Sequence, residues 1–197
     1  MSAYEDFVHR IGCIHRNAHG DGGDVIARIM STCVDMLVDR GCSSVGTHPS
    51  AEEAVTQNLP LVHGESPLIH VYLHSEDKVG VKYARSVMEA DPEAQLIVVS
   101  IDGCTPFTRK ECDGGMVQFF TARELVNNIT KHRLVPPHEK IAAPPEGTTA
   151  EQLPKLLTTD AVAKYYGWPV GSVVRVTRCF AGSEPIPYFR VVSAAIS

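Results

Sequence analysis

Apolar residues recur along this chain with two different periods. From Val25 to Arg40, Ile26, Ile29, Met30, Cys33 and Leu37 fall three or four positions apart, which gathers side chains on one face of an α-helix. Arg40 supplies a cation for the last turn, and Gly41 is free to take the left-handed conformation that ends a helix. Ser50-Ala-Glu-Glu53 has capping-box spacing and predicts a short helix to about Asn58. In the centre, LIHVYL (68–73) and LIVVSI (96–101) are short, nearly unbroken apolar runs, the pattern of buried strands. Between them Val81, Ala84, Val87 and Met88 share one helical face across 79–90. Strand, helix and strand at this length predict a right-handed crossover joining parallel strands. MVQFF (116–120) reads as a third strand, and Thr121-Ala-Arg-Glu124 as the cap of a helix running to about His132.

Beyond Val135 the texture changes. Residues 136–151 carry four prolines and little periodicity, which predicts a partly extended linker. In the tail, Thr159 or Asp160 caps a short helix, AVAKYY, that Gly167 ends. VVRVTR (173–178) and YFRVVS (188–193) alternate like paired strands across the loop AGSEPIP. This helix-and-hairpin domain of residues 152–197 is near the size at which a lone core becomes marginal, so it is expected to complete its burial against a partner. At the other end, residues 1–23 are polar and run into HGDGGD. That run lacks the lysine of a phosphate loop, and Asp21 and Asp24 would repel a phosphate. A flexible arm is expected there, with Asp24 as the N-cap of the next helix. The fold expected is therefore α/β within an α+β chain: an arm (1–23), a domain built on a βαβ unit (24–135), a linker (136–151) and a small C-terminal domain (152–197).

Charge narrows the function. Residues 1–140 hold 13 Lys and Arg against 19 Asp and Glu, a net of −6, and residues 141–197 hold 5 against 4, a net of +1. Tight binding of nucleic acid by bulk charge is excluded, and any DNA contact must be local and assisted. No apolar run approaches the roughly 18 residues of a membrane span. The opening MSAYEDFVHR has no secretory pattern, so a soluble intracellular protein is expected. Six cysteines form no CxxC pair and are expected to be buried thiols rather than bridges. Cys13, His15 and His19 come closest to a metal cluster but lack a fourth ligand.

The tail carries a family resemblance. Gln152-Leu153-Pro154, Asp160, Val162-Ala163, Tyr165, Gly167, Gly171, Val173-Val174, Arg178, Tyr188 and Arg190 resemble the C-terminal assembly domain of the fifth subunit of eukaryotic nuclear RNA polymerases, a family with archaeal kin. NNITKHRLVPPHE (127–139) is similar to the junction between that family's domains, VDMLVDRG (34–41) to its first helix, and SEDKVGVKYARSVM (75–88) to its crossover. The resemblance implies a non-catalytic, nuclear subunit shared among polymerases I, II and III and working in transcription. Its restriction-endonuclease-like jaw would lie beside downstream duplex DNA, and its small C-terminal domain would anchor to the largest subunit. Two features depart from the family: APPEGTT stands where it has a helix, and Pro169-Val170 where eukaryotic members carry a basic pair.

Arg109 and Lys110, in the loop after LIVVSI, are expected near DNA, because loops at the carboxyl ends of parallel strands are where such sheets meet ligands. The Thr105-Pro106 turn and Lys110 also resemble the family's DNA-facing loop. Lys82 and Arg85 on the crossover helix are further candidates. Pro154, Arg175, Arg178, Tyr188 and Arg190 are the expected subunit-interface residues, the arginines pairing with partner carboxylates. No catalytic residue, cofactor or metal is expected. A metal-dependent nuclease is the rival reading, since Glu76-Asp77-Lys78 satisfies the E-x-K pattern, yet only Glu65 in the loop HGES lies a short way upstream as the acidic partner, and Glu76 lies past the strand. No GxSxG elbow occurs. His70 and His74, at even spacing on one strand, read as packing or surface. A freestanding adaptor is the third reading.

Overall fold

The computed structural model describes residues 3–14, 22–112, 115–179 and 184–194, which divide into two compact units, Met1–Asn127 and Asn128–Ser197.

The first unit is a five-stranded sheet with helices on both faces. In chain order it runs α1 (Ala3–Ile14), α2 (Gly22–Asp39), β1 (Ser44–Thr47), α3 (Ala51–Gln57), β2 (Val62–Glu65), β3 (Ile69–Leu73), α4 (Val81–Ala90), β4 (Gln95–Ser100), α5 (Pro106–Glu111), β5 (Val117–Thr121) and α6 (Ala122–Leu125). The sheet order is β1-β2-β3-β4-β5. Strands β1 to β3 are antiparallel neighbours, whereas β3, β4 and β5 run parallel, with α4 as the expected crossover. Burial explains the apolar runs, since Val71, Leu96, Ile97, Val98 and Val99 are each at most 2% exposed. Tyr72, Leu96, Val98 and Val117 meet Ala84 and Val87 of α4 in one cluster. On the other face α2 approaches so closely that a Cβ on Gly64 would lie 3.0 Å from Leu37 Cδ2 and 2.5 Å from Cys42 Sγ. That close approach accounts for a glycine in mid-strand.

Several expectations need correction. The N-terminal arm contains α1, whose Phe7 and Ile11 are fully buried, each burial contributing about 1.5–3 kcal/mol. The polar residues of 1–14 mask a one-sided apolar stripe. Asp24 lies inside the first turn of α2 rather than capping it. Ser50 accepts from the Glu53 amide, but its own amide donates to His48 Nδ1, so the capping box is half formed. The Thr121–Glu124 box is complete, yet α6 stops at Leu125. Asn128 then caps a separate 3-10 turn, Ile129–Lys131, by accepting from the Thr130 amide. Helix α5 stands where a loop was expected, with Thr105 as N-cap and Pro106 in its first turn. His15 and His19 lie outside the described residues.

The second unit is a four-stranded sheet in the order β6-β8-β9-β7. It comprises β6 (His138–Ile141), a 3-10 turn (Ala150–Gln152), β7 (Lys155–Leu157), α7 (Ala161–Tyr166), β8 (Val173–Arg178) and β9 (Ile186–Ser193). The expected hairpin is β8–β9, and Asp160 caps α7 by accepting from the Val162 and Ala163 amides. Gly167 ends α7 at φ 65°, the left-handed region. Residues expected as linker instead supply β6, antiparallel to β8 from His138↔Val176 to Ile141↔Val173. Strand β7 adds to β9 in parallel. Both are short edge strands with charged, exposed residues, a common way of blunting an edge and the reason no apolar pattern announced them. Leu156, Ala163, Val174, Val176 and Val192 form the core beneath α7.

Candidate functional site

Opposed residues in a sheet share a face, so register sorts the expected interface residues. Val174↔Arg190, Val176↔Tyr188 and Arg178↔Ile186 lie on the face that α7 covers, whereas Arg175↔Phe189 lies on the other. The three arginines therefore do not form one surface. Arg175 is ion-paired with Glu139 across β6–β8, and Arg190 donates to the Lys155 carbonyl oxygen at 3.1 Å. The Arg178 guanidinium sits 5.0 Å from the centre of the Tyr188 ring, a cation–π contact. Tyr188 is 40% exposed and Ile186 43%, and Leu157 on the opposite face is 44% exposed. Pro154 is exposed, and its carbonyl accepts from Val191 to start β7. Next to Arg178, the end of β8 and residues 133–137 enclose an open groove of about 420 Å³.

In the first unit, Arg109 and Lys110 occupy the last turn of α5, both exposed, where cations complement the negative helix end. Arg85 of α4 is ion-paired with Glu111, so its charge is already engaged within the unit and it is the weakest of the DNA candidates. That pair and the Val79↔Cys104 bridge tie the two crossover segments together. Lys82 is exposed three residues earlier on α4.

Comparison with known proteins identifies the family. A family model described as RNA polymerase Rpb5, C-terminal domain, matches residues 127–192. The Dictyostelium discoideum protein named DNA-directed RNA polymerases I, II, and III subunit rpabc1 is 30% identical over 181 residues, covering 78% of this chain and 89% of the relative. This chain belongs to the Rpb5 family of RNA polymerase subunits. The Caenorhabditis briggsae subunit RPABC1 is 27% identical over 185 residues, covering 77% of this chain and 87% of its own length. The Arabidopsis thaliana DNA-directed RNA polymerase V subunit 5A is 38% identical over 68 residues, 30% of each chain. The Rpb5 match at 127–192 nearly coincides with the second compact unit.

Within this Rpb5 family member the E-x-K tripeptide is arranged for packing. Asp77 accepts from Arg10 of α1, which also donates to the Ser75 carbonyl at 2.8 Å. Glu76 projects into solvent with 79% of its side chain exposed. Its carboxylate is 3.7 Å from His74 Nε2, beyond hydrogen-bond reach. Burial holds the His74 imidazole below its ordinary pKa, opposed by Glu76, and its ring packs on Tyr83 with centroids 4.0 Å apart. Among the described residues no group of three or more His, Cys, Asp and Glu is placed to hold a metal ion. Neither is any helix there long and apolar enough to cross a membrane. Of the six free cysteines, Cys33 and Cys112 are buried, whereas Cys13 and Cys179 are exposed, contrary to expectation. Burial pushes the Cys33 thiol up to about 12.

One polar cluster was not expected: His70, read as packing or surface, is bonded to an acid. His70 and Tyr72, alternate residues on one face of β3, both contact Asp91 at the carboxyl end of α4, His70 Nδ1 at 2.8 Å from Oδ2. Burial tends to raise the Asp91 carboxyl, but the hydrogen bonds from Tyr72 and His70 outweigh it and hold it below its ordinary pKa. Tyr72 is pushed up, first by burial and then by Asp91. The signal available was the even spacing of 70 and 72, with an acid just past the crossover helix.

Proposed function

We propose that this chain is a non-catalytic structural subunit of a nuclear DNA-dependent RNA polymerase. In this reading residues 128–197 anchor it to the largest subunit, and residues 1–127 form a jaw beside downstream DNA. The observation that carries it is the Rpb5 match over 127–192, which falls on a self-contained sheet unit. That unit leaves Ile186 and Tyr188 exposed on one face, as an assembly surface requires. Charge supports the division of labour. Residues 1–127 hold 10 Lys and Arg against 18 Asp and Glu, a net of −8, while residues 128–197 hold 8 against 5, a net of +3. The first unit cannot hold DNA by itself, and its contact through Arg109 and Lys110 depends on tethering in the enzyme, where local concentration does the rest. Pull-down tests the assignment: residues 128–197 retain the largest subunit and residues 1–127 do not. Retention by 1–127 alone would reverse it.

A further inference from the structure

Most of the described arginines are engaged. Arg10 pairs with Asp6 and Asp77, Arg85 with Glu111 and Arg175 with Glu139. Arg28 and Arg40 bond Asn127 and Gln118, and Arg190 bonds a carbonyl. Arg133 and Arg178 differ: both line the 420 Å³ groove of the second unit, and among the described residues no carboxylate lines it with them. One wall of the groove is apolar, made by Leu134, Val135, Pro136 and Pro137. A turn closed by the Val135 amide on the His132 carbonyl carries Arg133 and Leu134 outward, leaving Leu134 76% exposed. The opposite wall is the end of β8, fastened to the first by the Thr177 amide on the Pro137 carbonyl at 3.0 Å. Tyr188 stacks under Arg178 and holds that guanidinium in place, so less freedom is lost when it takes up a carboxylate.

We infer that this groove is a docking site for an acidic, extended peptide segment of a neighbouring polymerase subunit, its carboxylates on Arg133 and Arg178 and its apolar residues on the Leu134–Pro137 wall. The inference rests on the assembly reading of this unit and gives the partner segment a chemistry. Two guanidiniums accept a carboxylate or a phosphate equally well. The apolar wall favours peptide over a nucleic-acid backbone, which would leave Leu134 and the prolines without a contact. The groove's volume lies in the range of small-ligand sites, enough for a few side chains rather than a whole domain.

The test uses the full-length chain and two fluorescein-labelled peptides, repeats of Glu-Leu-Glu-Pro and of Lys-Leu-Lys-Pro, read by fluorescence anisotropy. The Glu peptide binds and the Lys peptide does not, and added salt weakens the complex. Bound peptide slows alkylation of the exposed Cys179, which lines the groove. R133E/R178E loses about tenfold or more in affinity for the Glu peptide and gains binding of the Lys peptide, a gain that misfolding cannot imitate. Equal binding of both peptides, a DNA duplex that displaces the Glu peptide, or self-association of the chain through this groove would each overturn the inference. Purification of the tagged chain separates the two readings. A wild-type chain that carries no polymerase subunit removes the assembly reading, and with it the polymerase origin of the segment. An R133E/R178E chain that assembles normally and whose wild-type parent ignores the Glu peptide removes the groove alone.

Discussion

Replacing Asp91 with Ala removes the acceptor that joins β3 to the end of the crossover helix. The Tyr72 hydroxyl loses its partner on a residue only 2% exposed, and His70 loses the carboxylate 2.8 Å away. A hydrogen bond to a charged group contributes about 1.5–3 kcal/mol, and an orphaned buried hydroxyl costs about 1–3 kcal/mol. The Asp91 side chain is 26% exposed, so solvent screens part of the ionic component, and the expected loss is about 2–3 kcal/mol. Urea unfolding followed by far-ultraviolet circular dichroism reads it. In a double-mutant cycle, Tyr72→Phe and Asp91→Ala should couple by about 1–2 kcal/mol. The pH dependence has a definite sign. A carboxyl depressed by folding stabilises fully above its unfolded pKa of about 3.9, and that contribution is lost as pH falls through the folded value. Wild type therefore converges on Asp91→Ala in strong acid. For Tyr72 the folded pKa is raised, so its contribution is fully present below about 10 and is lost progressively as pH rises from there through the folded value. A variant within about 0.5 kcal/mol of wild type at neutral pH, or an additive cycle, would refute the clamp.

Phe7→Ala should cost about 3–5 kcal/mol, read as faster amide exchange in α1 and α2, because Phe7 is fully buried. Asp160→Ala should cost about 1–2 kcal/mol by uncapping α7. Trp168, the only tryptophan and stacked on Tyr166 in the same unit, reports that unfolding by fluorescence. Arg109→Ala with Lys110→Ala should leave assembly intact and lower the salt slope of DNA binding by the assembled polymerase by about one to two units.

What could be read in the sequence was what apolar periodicity encodes. The strands at 69–73, 95–100 and 117–121 line the core, and the helices at 22–39 and 81–90 turn one apolar face to it, so burial chose the residues that carry the period. Elements on the rim escaped. HEKI became β6 because β8 offers an edge, and its own charged residues carry no strand pattern. Helix α5 was hidden by its length of six residues, though Thr105-Pro106 is a proper start signal. Residues 1–14 looked mobile because the stripe of Phe7 and Ile11 spans one turn only. At the candidate surfaces, sequence could nominate Arg175, Arg178 and Arg190 but not sort them. Facing depends on register, and pairing with Glu139, Tyr188 or Lys155 depends on strands far apart in the chain.

Purification of the full-length tagged chain through high salt, with quantitative mass spectrometry of what accompanies it, bears most directly on membership of a polymerase. The largest polymerase subunit should be recovered in equimolar amount with the tagged chain, along with other polymerase subunits. A tagged chain recovered alone, or with a partner set lacking the largest subunit, would contradict the account.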